Sequence, residues 1–154
     1  KINDKKNDKK KHKNQFWKQA ENYTKYSKPD THELYKLLVS LATNGGKKIL
    51  DIECGTGKST EPLAREDVEV FGCDIDPLMI AEAQKQAELK NLTINYSVAE
   101  VEHLPFEDSN FDVVTVATAF HWFVNEKSVT EIKRVLKEKG LFFVFWTLTT
   151  KDVP

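Results

Sequence analysis

Apolar and polar positions follow one another along this chain in a pattern that predicts alternating helices and strands. Helices are predicted from apolar residues at three- and four-residue spacing, or from cap and turn residues, at 16–26, 31–43, 58–65, 76–90 and 125–137. Strands are predicted from short apolar runs at 48–52, 68–73, 93–98, 112–117 and 141–147. The run 112–117 is almost entirely apolar, which is typical of a central strand buried on both faces.

Strict alternation of strand and helix predicts an α/β fold, with a doubly wound, mostly parallel sheet flanked by helices. Ligands of such sheets bind beyond the carboxyl ends of the strands, where the strand order reverses. The predicted topology brings 51–57, Asp74, Glu100 and 117–122 to that edge. The sequence therefore predicts one ligand crevice formed by these segments.

A glycine-spaced turn after the first strand is the most informative feature of this edge. Gly55 and Gly57 follow the apolar strand 48–52, and a second strand ends at Asp74. Glycines allow a ligand to approach backbone N–H groups closely. In α/β folds an acid after the second strand takes ribose hydroxyls, so this arrangement predicts a nucleoside ligand.

Two other glycine motifs compete for the same residues. A phosphate-binding P-loop is suggested by Lys58 and Ser59, but Ile52 stands where that motif needs its first glycine. The dinucleotide fingerprint has Thr60 in place of its third glycine, which packs helix against strand. Nucleotide triphosphate hydrolysis and NAD-dependent dehydrogenation are therefore both disfavoured.

Six segments resemble, in order and spacing, the motifs of one enzyme family. They are 50–57 (family pattern L-D-x-G-C-G-T-G), 70–80 (V-x-G-x-D-x-S-x-x-M-I), 99–106 (G-D-A-E-x-L-P-F), 111–114 (F-D-x-V), 119–123 (the H-W-F motif of one subgroup) and 134–140 (R-V-L-K-P-G-G). On these residues the chain resembles a class I (Rossmann-like) SAM-dependent methyltransferase of the small-molecule type. The resemblance implies S-adenosyl-L-methionine as cofactor and SN2 transfer of its methyl group to a small-molecule acceptor.

The resemblance also implies a set of cofactor-binding residues. They are Asp51, Glu53, Cys54, Gly55, Gly57, Asp74, Ile75, Glu100, Val101, Ala117 and Tyr26. Asp74 is expected to bind the ribose and Glu100 the adenine amine, whereas Tyr26 is expected to close over the cofactor. Asp51 either contacts the methionine part of the cofactor, directly or through water, or braces the glycine loop.

His121 is the candidate catalytic residue. It lies in the segment that the resemblance sets beside the transferred methyl group, and histidine is suited to remove a proton near neutral pH. The alternative is that His121 is a packed residue next to Trp122. Oxygen, nitrogen, carbon and sulfur are all candidates for the acceptor atom.

Glu53 departs from the family, which has a glycine at this position. Its carboxylate either points into solvent or faces the cofactor's carboxylate, where like charges oppose binding. A second hypothesis follows, in which the pocket is degraded and the fold serves as a binding module. Glu100, preceded by Ala99 where the family has G-D, keeps the acid of the family motif.

Charge is distributed unevenly along the chain. Residues 1–13 carry about +5 within a total of −1, so the remainder is acidic, which argues against nucleic-acid binding by the main domain. We expect a disordered basic tail at 1–14 and a SAM-binding methyltransferase domain at 15–154.

No run of apolar residues is long enough for a membrane helix. No metal-ligand spacing is present, and the two cysteines are expected to be reduced, as in a cytoplasmic protein.

Five strands are predicted, whereas the resembling family has seven. The domain is therefore expected to be C-terminally incomplete, without the last strands of the family sheet. The apolar segment 142–146 would then form an edge strand, which is prone to pair with another chain. A homodimer through the edge of the fifth strand is the alternative expectation.

Overall fold

Helices and strands alternate along the part of the chain that the structure, a computed structural model, describes, namely residues 32–43, 47–64, 67–117 and 125–145. The elements are α1 (His32–Thr43), β1 (Lys48–Ile52), β2 (Glu69–Asp74), α2 (Pro77–Leu89), β3 (Asn95–Val98), β4 (Phe111–Ala117), α3 (Glu126–Val135) and β5 (Leu136–Phe145). The predictions for the tail at 1–14 and the helix at 16–26 lie outside the described residues.

The five strands form one sheet in the order β3-β2-β1-β4-β5, and every neighbouring pair is parallel. The chain moves outward from β1 to β3 and then crosses to β4 on the other side of β1. The strand order therefore reverses between β1 and β4, which is the switch point where such sheets bind ligands. The predicted α/β, Rossmann-like fold with a parallel sheet flanked by helices is confirmed.

Each face of the sheet carries its own apolar cluster, because successive strand residues point to opposite faces. One cluster joins α3 to the sheet through Leu50, Ile52, Cys73, Val114, Val116, Ile132 and Val135. The other joins α1 to the sheet through Tyr35, Leu38, Ala42, Ile49, Val70 and Val113. Asp51 follows Ile49 by two in β1, so its carboxyl lies on the α1 face.

Side chains cap the starts of both α2 and α3, and the cap of α2 at Asp76 is the one that the sequence predicts. The Asp76 carboxylate accepts the N–H of Leu78, and Pro77 occupies the first turn where no N–H is required. Asn125 and Ser128 form a reciprocal capping box at the start of α3. None of the helices in the described ranges is long and apolar enough to cross a membrane.

Two predicted elements differ from the structure. The helix predicted at 58–65 is wrong, because a single 3-10 turn at Glu61–Leu63 stands there instead. Pro62 explains the difference, since it lacks an N–H and its ring would clash with the carbonyl four residues earlier in an α-helix. The fifth strand begins at Leu136, earlier than predicted, because Leu136 is extended and pairs with Phe111.

Candidate functional site

Asp51 is the anchor of the loop that follows β1. Its carboxylate is fully buried and accepts three hydroxyl hydrogen bonds, from Ser59 (2.7 Å), Thr60 (2.7 Å) and Thr115 (2.9 Å). The register of β1 with β4 sets Asp51 opposite Thr115. Burial raises the pKa of Asp51, although the three hydrogen bonds act in the opposite direction. Asp51 therefore ties the loop to the sheet.

The raised pKa of Asp51 makes stability depend on pH. As pH rises from about 4, the unfolded chain loses this proton before the folded protein does. We expect the unfolding free energy of wild type, relative to Asp51→Asn, to fall until the pH passes the folded-state pKa and to be level above it. Urea unfolding of both proteins from pH 4 to pH 8 measures this difference, and a difference that rises with pH would contradict the assignment.

The loop at 53–57 folds through three residues with left-handed backbone. Their φ angles are 53° at Glu53, 55° at Gly55 and 86° at Gly57. The Cys54 N–H donates to the Cys73 carbonyl and the Gly57 N–H to the Cys54 carbonyl, each at 3.0 Å. A Cβ on Gly55 would meet nothing within 4 Å, so the space beside this backbone is open to a ligand.

Asp74 joins this loop to the end of β2. Its buried carboxylate accepts the backbone N–H of Gly55 and that of Asp76, both at 2.9 Å. One carboxylate oxygen serves each contact. Asp74 therefore holds the glycine loop against the end of β2.

One of the two thiols belongs to the loop and the other to the end of β2. Cys54 and Cys73 are both free and buried, as expected from the sequence. Burial raises the pKa of each thiol, and the carboxylates of Asp51 and Asp74 add to that effect. Neutral, buried thiols of this kind pack like small apolar side chains.

Tyr96 from β3 packs against two glycines of the site. A Cβ on Gly57 would stand 2.3 Å from the Tyr96 Oη and 3.3 Å from the Ala83 Cβ, and a Cβ on Gly72 would stand 2.6 Å from the ring. Burial raises the pKa of Tyr96. The ring therefore fills the space beneath the loop that side chains at Gly57 and Gly72 would need.

A groove of about 400 Å³ opens next to Asp74, beyond the carboxyl ends of β2 and β3. Its lining residues are Ile75, Val98, Ala99, Glu100, His103 and Pro105. Most of the wall is apolar, and Val98 is half exposed. Glu100 supplies a carboxylate, whose Oε2 lies 3.6 Å from the Nδ1 of His103. A flat apolar ring that carries a hydrogen-bond donor would suit this wall.

Arg134 on α3 holds the turn that completes the groove. Its guanidinium donates to the carbonyls of Leu104 (2.9 Å) and Phe106 (2.8 Å) and to the carboxylate of Asp108 (2.7 Å). Two further bonds reach Glu131, at 2.7 and 2.9 Å. The hydrogen bonds from Arg134 lower the pKa of Glu131, and those to Glu131 and Asp108 raise the pKa of Arg134.

The structure brings most of the sequence-predicted site residues together at one edge of the sheet. Asp51, Glu53, Cys54, Gly55, Gly57 and Asp74 form the loop cluster, and Ile75 and Glu100 line the groove beside it. Val101 has its side chain buried in the core, and Ala117 is half-buried at the end of β4. Tyr26 and His121 lie outside the described residues.

Several contributors were missed from the sequence. Ser59, Thr60 and Thr115 bind Asp51, but their roles depend on strand order and register, which no local pattern carries. His103 and Pro105 follow Glu100 by three and five positions, and that proximity could have identified them as groove residues. No group of histidine, cysteine or acidic side chains suited to a metal ion occurs in the described ranges.

Comparisons with known proteins agree on one kind of domain. Residues 50–144 match a family described as a methyltransferase domain. A demethylmenaquinone methyltransferase from Thermus thermophilus is 39% identical over 101 residues, which are 64% of this chain and 46% of that protein. The chain spans about half the length of the curated relatives it matches.

Solved structures are similar in the same region. The YcgJ protein from Bacillus subtilis is 30% identical, with a TM-score of 0.63 over 73% of this chain and 50% of that one. An S-adenosylmethionine-dependent methyltransferase from Clostridium acetobutylicum is 21% identical, with a TM-score of 0.69 over 84% of this chain and 56% of that one. The second likeness concerns the fold alone.

Proposed function

The chain belongs to the methyltransferase domain family of SAM-dependent enzymes with a class I, Rossmann-like fold, and from that premise we propose that it transfers the methyl group of S-adenosyl-L-methionine to a small-molecule acceptor. The observation that carries the proposal is the groove beside the Asp74-anchored glycine loop at the carboxyl ends of the strands. A loop open at Gly55 and an apolar groove with one carboxylate fit the two ends of a nucleoside cofactor.

The adenosine part of the cofactor would lie along β2 and β3. Asp74 would bind the ribose hydroxyls, and Glu100 would accept a hydrogen bond from the adenine amine. Ile75 and Val98 would contact the faces of the ring. Val101 has its side chain buried, so its backbone is the part that would contribute. In this arrangement, carboxylates face the hydroxyl and amine groups of the ligand, and apolar side chains face its ring.

The methionine part would lie along the glycine loop. Gly55 leaves open space there, while Cys54 and Gly57 provide backbone beside it. We propose that Asp51 acts indirectly, because its oxygens already accept three hydroxyls and its side chain is fully buried. Ala117 at the end of β4 would border the same space, and Tyr26 would cover it.

The sulfonium of S-adenosyl-L-methionine supplies an electrophilic methyl group when the cofactor is bound. The protein's own contribution is then to orient the acceptor in line with the methyl–sulfur bond and to exclude water. We propose His121 as the base for an acceptor that enters protonated. The acceptor itself is proposed as a small molecule, because the acidic main domain is poorly suited to a polyanionic substrate.

We propose that Glu53 lowers the affinity of this site for the cofactor. It has left-handed backbone where the resembling family has glycine, and its charge lies close enough to Cys73 to raise that thiol's pKa. Left-handed backbone costs a non-glycine residue roughly 1–2 kcal/mol. Glu53→Gly therefore removes both strain and a negative charge beside the space proposed for the cofactor's carboxylate.

We expect Glu53→Gly to bind S-adenosylhomocysteine more tightly than wild type, and both proteins to be stabilised by the ligand. At about 100 times the dissociation constant the gain is roughly 2.7 kcal/mol, a rise in Tm of about 5–10 °C. Thermal unfolding with and without ligand measures this, with Glu53→Gln as the control that removes the charge and keeps the side chain. No shift in any of the three proteins would contradict the proposed cofactor.

A second function is favoured by the same residue. If Glu53 blocks the loop, the domain would be a degraded methyltransferase fold that acts as a binding module. That hypothesis predicts a ligand-dependent rise in Tm for Glu53→Gly and none for wild type. A shift in wild type would exclude it.

Two further proposals concern partners and location. β5 lies at one edge of the described sheet and carries half-buried aromatic residues, which supports a homodimer through this edge. A monomeric mass in light scattering would exclude the dimer.

The free, buried cysteines support a reducing compartment such as the cytoplasm. Recovery of the protein from the extracellular medium with its cysteines in disulfide bonds would contradict that location.

A further inference from the structure

We propose that Tyr96 is a positioning residue for the glycine loop at 53–57, and that its hydroxyl donates a hydrogen bond to Thr60 when a ligand occupies the loop. This inference rests on the proposed function, because it takes the methionine part of the cofactor as the ligand of that loop. The sequence analysis gave Tyr96 no role.

The Tyr96 hydroxyl is a buried polar group that has no hydrogen-bond partner among the residues that the structure describes. Most buried polar groups in native proteins are paired, because a buried donor without an acceptor lowers stability. Phenylalanine would supply the same ring at this position without that cost. The hydroxyl therefore indicates a second arrangement of the loop, in which it is paired.

The ring of Tyr96 is fixed between the sheet and the loop. Tyr96 lies opposite Gly72 in the pairing of β2 with β3, and a Cβ on Gly72 would stand 2.6 Å from the ring. At the hydroxyl end, a Cβ on Gly57 would stand 2.3 Å from the Oη. Since the ring has no space to turn, the loop is the part that moves when the hydroxyl gains a partner.

Thr60 is the acceptor within reach of this hydroxyl. Its side chain lies close enough to lower the pKa of Tyr96, against the larger, raising effect of burial, but the two hydroxyls do not form a hydrogen bond in this structure. The Thr60 Oγ1 donates its proton to the Asp51 Oδ2 at 2.7 Å, and a hydroxyl oxygen that donates can also accept. The phenol can therefore donate to an oxygen that Asp51 already holds in place.

A backbone hydrogen bond couples Thr60 to the ligand side of the loop, because the Thr60 N–H donates to the Gly57 carbonyl at 3.0 Å. A ligand that contacts the backbone beside Gly55, where the space is open, moves Gly57 and Thr60 together relative to the fixed phenol. The hydrogen bond from Tyr96 then extends the chain from Thr60 to Asp51, and hydrogen bonds in such a chain strengthen one another.

Tyr96→Phe separates ligand affinity from stability. Without ligand, the variant loses an unpaired buried hydroxyl, so its Tm should rise by about 2–4 °C. In the complex it loses a hydrogen bond, so the dissociation constant for S-adenosylhomocysteine should increase about three- to tenfold. A hydroxyl that only supports the fold would not produce these opposite effects. Thermal unfolding and calorimetric titration measure the two quantities.

Tyr35→Phe is the matched control. Tyr35 is a buried tyrosine on α1 whose ring packs edge-to-face against Phe145 of β5, at the opposite edge of the sheet from β3. Removal of this hydroxyl should leave the dissociation constant at the wild-type value. An equal loss of affinity in the two variants would overturn the role of Tyr96.

Two further measurements follow the Tyr96 hydroxyl itself. Thr60→Val lacks the acceptor, so Tyr96→Phe should cause no further loss of affinity in that background, whereas the same loss as in wild type would overturn the pairing with Thr60. The 13C resonance of the Tyr96 Cζ, identified by its absence from Tyr96→Phe, responds to hydrogen bonding of the hydroxyl. It should shift when S-adenosylhomocysteine is added to wild type, and an unchanged resonance would overturn the proposal even if Thr60→Val does not fold.

The outcomes separate this inference from the function on which it rests. Equal affinity of wild type and Tyr96→Phe for S-adenosylhomocysteine would overturn the role of Tyr96 and leave the proposed cofactor intact. A lower Tm for Tyr96→Phe without ligand would also overturn that role, because the hydroxyl would then be paired before the ligand binds. Failure of wild type to bind S-adenosylhomocysteine would overturn the proposed function, and this inference with it.

Discussion

Gly57→Ala is expected to lower the unfolding free energy by about 3 kcal/mol, because left-handed backbone and overpacking add together at this position. Gly57 has a φ of 86°, and a Cβ there would lie 2.3 Å from the Tyr96 Oη. Tyr96 cannot move away freely, since its ring is packed against Gly72. The loop would have to shift, so S-adenosylhomocysteine binding should weaken as well. Urea unfolding and calorimetric titration measure the two effects.

Gly55→Ala is the matched control for this prediction. Gly55 has a similar left-handed φ of 55°, but a Cβ there meets nothing within 4 Å. Gly55→Ala should therefore lower the unfolding free energy by about 1 kcal/mol, which is the cost of left-handed backbone alone. Tyr96→Phe removes the hydroxyl that clashes, so Gly57→Ala should cost less in that background. Equal costs for the two glycine variants would show that the packing against Tyr96 is not what requires Gly57.

Arg134→Gln is expected to lower the unfolding free energy by about 3 kcal/mol, because hydrogen bonds from a charged donor are worth about 1.5–3 kcal/mol each. Arg134 donates to two backbone carbonyls, those of Leu104 and Phe106, which glutamine cannot reach together. The contact with the exposed Asp108 adds little. The same turn carries Pro105 of the groove, so ligand affinity should fall several-fold.

The control for Arg134 lies next to it in α3. Lys133→Gln removes a cation from the same helix turn at an exposed position, and it should change the Tm by little. Arg134→Gln should lower the Tm by about 6–12 °C. Thermal unfolding compares the two variants directly, and similar Tm values would mean that the guanidinium does not hold the turn.

The glycine loop and the acid that follows β2 could be predicted from the sequence because both are local. Gly55, Gly57 and Asp74 lie at the ends of strands whose apolar character is evident, and parallel topology brings strand ends together. The other contacts of the site depend on how the strands pair, which no local pattern shows. Asp51 meets Thr115 because β1 pairs with β4, although the two residues are 64 positions apart in the sequence.

One failed prediction had a signal in the sequence. Pro62 lies in the middle of the helix predicted at 58–65, where a missing N–H and a ring clash oppose helix. The hydroxyls of Ser59 and Thr60 bind Asp51, and such side chains compete with helical backbone bonding. The proline and the hydroxyl residues therefore indicate that no α-helix forms at 58–65. The position of the segment between two strands, which favours a helix, is the weaker signal here.

The central claim is that the groove and loop at the carboxyl ends of β1, β2 and β3 bind the nucleoside cofactor of a methyltransferase. Calorimetric titration of the wild-type protein with S-adenosylhomocysteine, and separately with NAD, tests it most directly. The account predicts saturable binding of S-adenosylhomocysteine at one site per chain and no binding of NAD. Saturable binding of NAD without binding of S-adenosylhomocysteine would contradict the account and favour a dehydrogenase.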